Sequence, residues 1–449
     1  MLPFYKCFIN CVCMNSLYIM YFWLGFCLTA PSIIIQYTFV NSFHLGVVEL
    51  AEIAGVISVA WALKPFIGWF VDFLSNFISP RFQVSFSYCL SGFALSCINL
   101  CPRLWYFVLC LFFSSLFLAF ADVVQDSILV RSLRNTSIDK RGSVQSFAWF
   151  CRSFGSILGC LLSALFSFHR NRFAIVASIH LGGVCCALNI RIHKNTYREK
   201  QLKIREIFCD KEVLLFSLLL FFFAYEPGDS SIFEYQLLKH YKVQPAVLAA
   251  AQIIAFGMIM VASALFQRYL RQYNAVGLVT VTSTVCLGVF VARNLFLTKR
   301  IDVPVNVFFI GNVAINTFFG HLSFLPLAVI STTLCKPGVE ATMYAYFMAL
   351  TNFSSIISRE LSGILASGIG IKKQLQVSNE KYDWFYGICI VLDIIGIIVV
   401  FLLLVSLPIR TKEKREIELT EFDHELDEED FNTIAEDKND SDLVDIDLN

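Results

Sequence analysis

A chain of 449 residues that is 57% hydrophobic and only 16% charged, with a mean hydropathy of +0.66, carries more apolar surface than a soluble domain of that length can hide. It is expected to cross a membrane many times, in contact with lipid and without a nucleic-acid partner. The formal net charge of zero is a cancellation: residues 409–449 hold 16 Asp/Glu against 5 Lys/Arg, and residues 1–408 hold 19 against 30.

A span needs about 20 apolar residues to cross about 30 Å of hydrocarbon. Twelve such segments are predicted, at 17–40, 47–72, 83–101, 104–131, 142–166, 171–192, 212–236, 245–269, 274–297, 305–333, 339–366 and 384–408. The expected fold class is therefore an all-α membrane protein with twelve transmembrane helices in two six-helix bundles. The first bundle covers 1–192, a basic cytosolic linker 193–211, the second bundle 212–408, and an acidic, unfolded tail 409–449. With both termini cytosolic, the inside segments carry 20 Lys/Arg and the outside loops 10, the bias that sets orientation. The N-terminus has one lysine before its apolar run and no small-residue cleavage site, so a removable signal is not expected. Most of the 16 cysteines lie inside apolar runs, where they act as small hydrophobes, and no zinc-type spacing completes a metal site.

Ionisable residues inside spans are costly and mark pathways or paired sites. The second span carries Lys64-Pro65-Phe66-Ile67-Gly68 and ends at Asp72. Gly68 lets a neighbouring helix approach, and Asp72 stands where pairing with a basic group would hold one conformation shut. In the fourth span Asp122 and Asp126, four residues apart, share one helix face. Two carboxylates there repel and burial disfavours charge, so one is expected to take a proton near neutral pH. We assign that role to Asp126, leaving Asp122 to pair with Arg152 or Lys64. The fifth span runs Gly142-Ser143-Val144-Gln145-Ser146 to Trp149, Arg152, Gly155 and Gly159; its glycines are read as a packing stripe. Arg152 is the anion-binding candidate, because a guanidinium fork can grip a carboxylate through two donors. In the seventh span Glu226-Pro227-Gly228-Asp229 breaks the helix beside three carboxylates, which is tolerated where backbone lines a cavity. Phe233 and Tyr235, just beyond, are candidates to stack on a flat ring. Pro337-Gly338 separates the tenth and eleventh spans, and Glu340 falls on the first turn of the next helix, where unpaired N–H groups favour an anion. Arg359 and Glu360 are adjacent in the eleventh span and point to different faces.

These pieces together resemble the folate-biopterin transporters, a branch of the major facilitator superfamily. The matching stretches are Lys64-Pro65-x-x-Gly68-x-x-x-Asp72, Ala121-Asp122-Val123-x-x-Asp126-Ser127, Gly142-Ser143-x-Gln145-Ser146-x-x-Trp149, the Pro227-to-Tyr235 stretch, and Phe324-x-Pro326 leading to Pro337-Gly338-Val339-Glu340-Ala341-Thr342. The resemblance implies a secondary active transporter that carries folate- or pterin-like solutes by alternating access, with proton coupling. Another solute such as S-adenosylmethionine, or a non-transporting scaffold or receptor using the acidic tail, is the alternative. The solute cavity is assigned to Lys64, Asp122, Arg152, Asp229, Phe233, Tyr235 and Arg359, proton coupling to Asp126, and gating to Asp72 and Glu340. No nucleophile–base arrangement, Walker loop or nucleotide fingerprint is present, so neither an enzyme nor a cofactor is expected. The plasma membrane is the expected location.

Overall fold

The computed structural model describes residues 2–45, 47–100, 102–134, 138–167, 169, 171–189, 210–227, 233, 241–371 and 378–407. The acidic tail, most of the basic linker, Asp229 and Tyr235 lie outside the described residues. Regular structure among the described residues is helical: α1 Leu2–Thr29, α2 Ser32–Asn41, α3 Val47–Ala62, α4 Lys64–Leu74, α5 Pro80–Cys97, α6 Leu104–Arg134, α7 Ile138–Phe166, α8 Arg172–Leu188, α9 Lys211–Phe223, α10 Pro245–Leu265, α11 Ala275–Leu297, α12 Val305–Leu334, α13 Glu340–Ile369 and α14 Asn379–Ser406.

Eight helical stretches among the described residues are long and apolar enough to cross a membrane, fewer than the twelve expected. The shortfall has physical causes. Helices α8 and α9 are short, with 17 and 13 residues, and α5 and α13 are diluted by hydroxyl and charged side chains such as Ser85, Ser91, Ser358 and Arg359. Two expected single spans are interrupted. The chain turns at Ala30-Pro31 between α1 and α2, and at Leu63 between α3 and α4, where Pro65 occupies the first turn of α4 and cannot donate to the preceding helix. The new end of α2 is satisfied from another helix: the amides of Ile33 and Ile34 donate to Ser163 Oγ at 3.0 and 3.2 Å.

Small residues set the closest approaches. A Cβ on Gly155 would stand 2.0 Å from the carbonyl oxygen of Phe22, and one on Gly159 2.2 Å from Thr29 Oγ1, so α7 lies directly on α1. A Cβ on Gly68 would stand 2.6 Å from the carbonyl oxygen of Ala341, which brings α4 equally close to the start of α13. Here helices from the two halves of the sequence meet: α4 and α6 pack against α13, and α7 against α10. Ala341 and Ala345 of α13 join the same buried cluster as Val71, Tyr88 and Val124.

Candidate functional site

Three cationic and anionic side chains converge in the interior of the first half. Helix α6 places Asp122 one turn before Asp126. Asp122 is only 1% exposed. The break at Leu63 makes Lys64 the first residue of α4, and its ammonium reaches Asp122 Oδ2. From α7, Arg152 Nη1 donates to the other oxygen, Asp122 Oδ1, at 2.7 Å. One carboxylate thus bridges two cations, which satisfies charges that would be prohibitive alone in an apolar interior. Aromatic faces complete the shell: Lys64 Nζ lies 4.7 Å from the Trp61 ring centroid and the Arg152 guanidinium 5.0 Å from that of Trp149. Arg152 uses one nitrogen on Asp122, and the rest of its fork makes no hydrogen bond among the described residues. Asp126 takes no share in the ion pairs. It accepts a 2.6 Å hydrogen bond at Oδ1 from the Tyr21 hydroxyl of α1.

A second cluster ties the halves together where α4 and α6 end and α13 begins. Asp72 accepts from the amide of Ala341 at 3.2 Å, the amide of Thr342 at 2.7 Å and the Thr342 hydroxyl at 2.6 Å. An aspartate from a distant helix therefore caps α13. Glu340, on the first turn of α13 as expected, is buried and faces Arg131, whose Nε lies 3.5 Å from Glu340 Oε2, while Arg131 Nη2 lies 3.7 Å from Asp72. Nearby, Gln145 Nε2 donates to Tyr344 Oη at 2.9 Å and Gln267 Nε2 to Ser143 Oγ at 3.0 Å, again across the halves. At the same end Lys336 Nζ donates to Asp210 Oδ2 at 3.0 Å, and Asp210 caps α9 by accepting from the Glu212 amide. Burial works against the Asp210 carboxylate, but Lys336 and the backbone amides outweigh it and hold the group below the ordinary carboxylate range.

Two other expected site residues stand apart from the cluster. Phe233 is 2% exposed, packed edge-on and tilted against Phe296, Phe308 and Phe309 in the core of the second half. Arg359 is exposed and its Nε donates to the carbonyl of Ser355, one turn back on its own helix. Several polar and aromatic residues were not singled out for a role by the sequence: Tyr21, Tyr344, His321 and Arg293. The two ionisable ones sit inside apolar runs, which is the signal that could have found them. Arg293 of α11 is buried, with Nε donating to Asn312 Oδ1 at 2.9 Å and its guanidinium near the rings of Phe233 and Phe290.

The described fold is helical, with a charge cluster in the interior of the first half and helices of the two halves meeting at one end. The arrangement is that of major facilitator transporters: FucP in its outward conformation matches with a TM-score of 0.63 at 11% identity, over 87% of this chain and 99% of its own, and the nucleoside transporter NupG with 0.61 at 15% identity, over 86% and 99%. The profile of the BT1 family matches residues 25–425, and the chain belongs to that family. Relatives include a folate-biopterin transporter of Synechocystis sp., 26% identical over 74% of this chain and 70% of its own, and folate transporter 1 of Plasmodium falciparum, 22% identical over 82% and 75%. The chain is a transporter and not an enzyme.

Proposed function

We propose that the protein is a secondary active transporter of folate- or pterin-like solutes, built from twelve spans in two six-helix bundles, 1–192 and 212–408, and driven by protons. The observation that carries this reading is the state of Arg152: its charge is held in place by Asp122, yet most of its fork is unspent beside the aromatic face of Trp149. An anion that arrives there meets a guanidinium already oriented, so little ordering is left to the moment of binding. Folates carry carboxylates, and Lys64 and Asp122 position the Arg152 fork for one. Asp126, held by Tyr21 rather than by a cation, is the group whose proton sets which way the cavity opens.

The Asp72, Arg131 and Glu340 cluster is the gate on the cytosolic side, closed in this arrangement, with both termini on that side and the plasma membrane as the location. Opening requires Asp72 to leave the end of α13 and Gly68 to part from Ala341.

The test is uptake into proteoliposomes with an imposed pH gradient, using labelled folate, an uncharged pterin and S-adenosylmethionine. Folate and pterin should accumulate with the gradient. Arg152→Lys, which keeps the charge and loses the fork, should weaken folate uptake more than pterin uptake. Asp126→Asn should still exchange bound solute but fail to accumulate it. Accumulation of S-adenosylmethionine alone, or of nothing, would overturn the reading.

A further inference from the structure

The contacts between the halves along α7 come in layers. Gly142 lies against Phe266 and Val329, Ser143 bonds to Gln267, and Gln145 bonds to Tyr344. One turn further stands Trp149, and three residues beyond it Arg152 joins the charge cluster. Trp149 is the hinge between those two environments. Its ring meets two rings of α12, His321 at 5.5 Å and Phe324 at 5.3 Å, with interplanar angles of 67° and 85°. It also carries the Arg152 guanidinium. His321 and Phe324 are themselves 5.9 Å apart and tilted by 33°.

Trp149 and Phe324 are only half-buried. His321 is 9% exposed, and its polarity is half used: Nε2 pairs with Ser263 Oγ of α10 at 3.0 Å, while Nδ1 has no hydrogen bond among the described residues. An imidazole with Nδ1 unpaired, set against the rings of Trp149 and Phe324 where Trp149 also carries the Arg152 guanidinium, is a poor choice for filling a seam. Leucine or phenylalanine would fill the space without bringing an unpaired ring nitrogen to it. It suits a ligand that is flat, aromatic and bears nitrogen on its rim.

We propose that Trp149, His321 and Phe324 form the platform that recognises the heterocyclic ring of the solute, with the Nδ1 atom of His321 hydrogen-bonding the ring edge. This rests on the folate- or pterin-like reading above and deepens it, by assigning ring recognition to α7 and α12. Phe233, of the expected stacking pair, is shut among other phenylalanines, and Tyr235 lies outside the described residues. The Arg152 donors stand one turn further along α7, so the helix that carries the ring platform also presents the anion-binding fork. The platform also joins the two halves, so ring binding acts on the contact that has to break when they separate.

The experiment measures binding of three probes to the purified full-length protein: pterin, folate, and p-aminobenzoylglutamate, which has the carboxylates without the pteridine. Phe324→Leu and His321→Leu should each weaken pterin and folate by about fivefold and leave p-aminobenzoylglutamate within about twofold. Bound pterin should quench tryptophan emission in the wild type, and Trp149→Phe, which keeps a ring, should remove most of that quench while pterin still binds. Equal weakening of all three probes would make the layer a structural seam and overturn the platform. Unchanged affinity in both leucine variants, with the quench intact in Trp149→Phe, would also overturn it and leave the transport reading standing. A wild-type protein that binds neither pterin nor folate overturns both.

Discussion

In the first half two cations, Lys64 and Arg152, close on the two oxygens of Asp122, whereas in the second half Arg293, 7% exposed, rests on the neutral oxygen of Asn312 and on the faces of Phe233 and Phe290. No carboxylate among the described residues is within ion-pair distance of Arg293. The first arrangement is a closed circuit in which each charge depends on the others. The second spreads one charge over a dipole and two quadrupoles, and no opposite charge is stranded if the cation leaves. On the proposed reading, the contrast places charge recognition in the first half.

The largest effect should come from Asp122→Ala, which strands Lys64 and Arg152 together. Removing one partner of a buried pair costs about 3–5 kcal/mol, so the detergent-solubilised variant should melt far below the wild type and transport nothing. A variant that keeps wild-type stability would show that the interior is wet enough to make the circuit irrelevant. Asp72→Ala comes next. Loss of a helix cap costs about 0.5–2 kcal/mol, and the amides of Ala341 and Thr342 should exchange hydrogen roughly fivefold faster by mass spectrometry. Unchanged exchange there would mean that the α13 amides do not depend on Asp72.

Arg293→Met sharpens the comparison from the other side. Because the variant unpairs only the Asn312 oxygen and leaves no opposite charge buried, stability should fall by on the order of 1 kcal/mol and uptake should persist. Collapse of this variant would give the second half a hidden circuit of its own. The smallest effect is expected at Lys336→Met, on a half-exposed pair worth about 0.2–1 kcal/mol. The Asp210 carboxyl is held below its ordinary value in the folded chain, so the pair contributes above the unfolded value of about 3.9 and the contribution is lost as pH falls through the lower folded one. The melting difference between wild type and variant should therefore appear at neutral pH and vanish in strong acid.

The sequence made the helices legible where a long apolar run met few polar residues, as over Leu104–Arg134 and Val305–Leu334. It did not show the breaks at Ala30-Pro31 and Leu63, because hydropathy continues through a proline that ends a helix. Lys64, Asp122 and Arg152 stood out as ions in apolar surroundings, and the structure brings these three together. The capping of α13 by Asp72 was hidden, since 269 residues separate Asp72 from the Ala341 amide and nothing local links them. Phe233 shows the converse limit. A phenylalanine beside a helix break looks the same whether it meets a solute or, as here, three other phenylalanines. His321 was visible only as a letter until α12 laid it against Trp149.

The cap on α13 also makes the solvent a participant. While Asp72 holds the amides of Ala341 and Thr342, the wedge between α4 and α13 is too tight even for a Cβ on Gly68. When the carboxylate withdraws, those donors and the carboxylate itself must be rehydrated, so on the proposed reading each opening draws several water molecules into the protein. Osmolytes excluded from that wedge favour the dry arrangement. The pace of the transport cycle is thereby tied to the water activity of the compartment the gate faces, apart from any gradient of solute or proton.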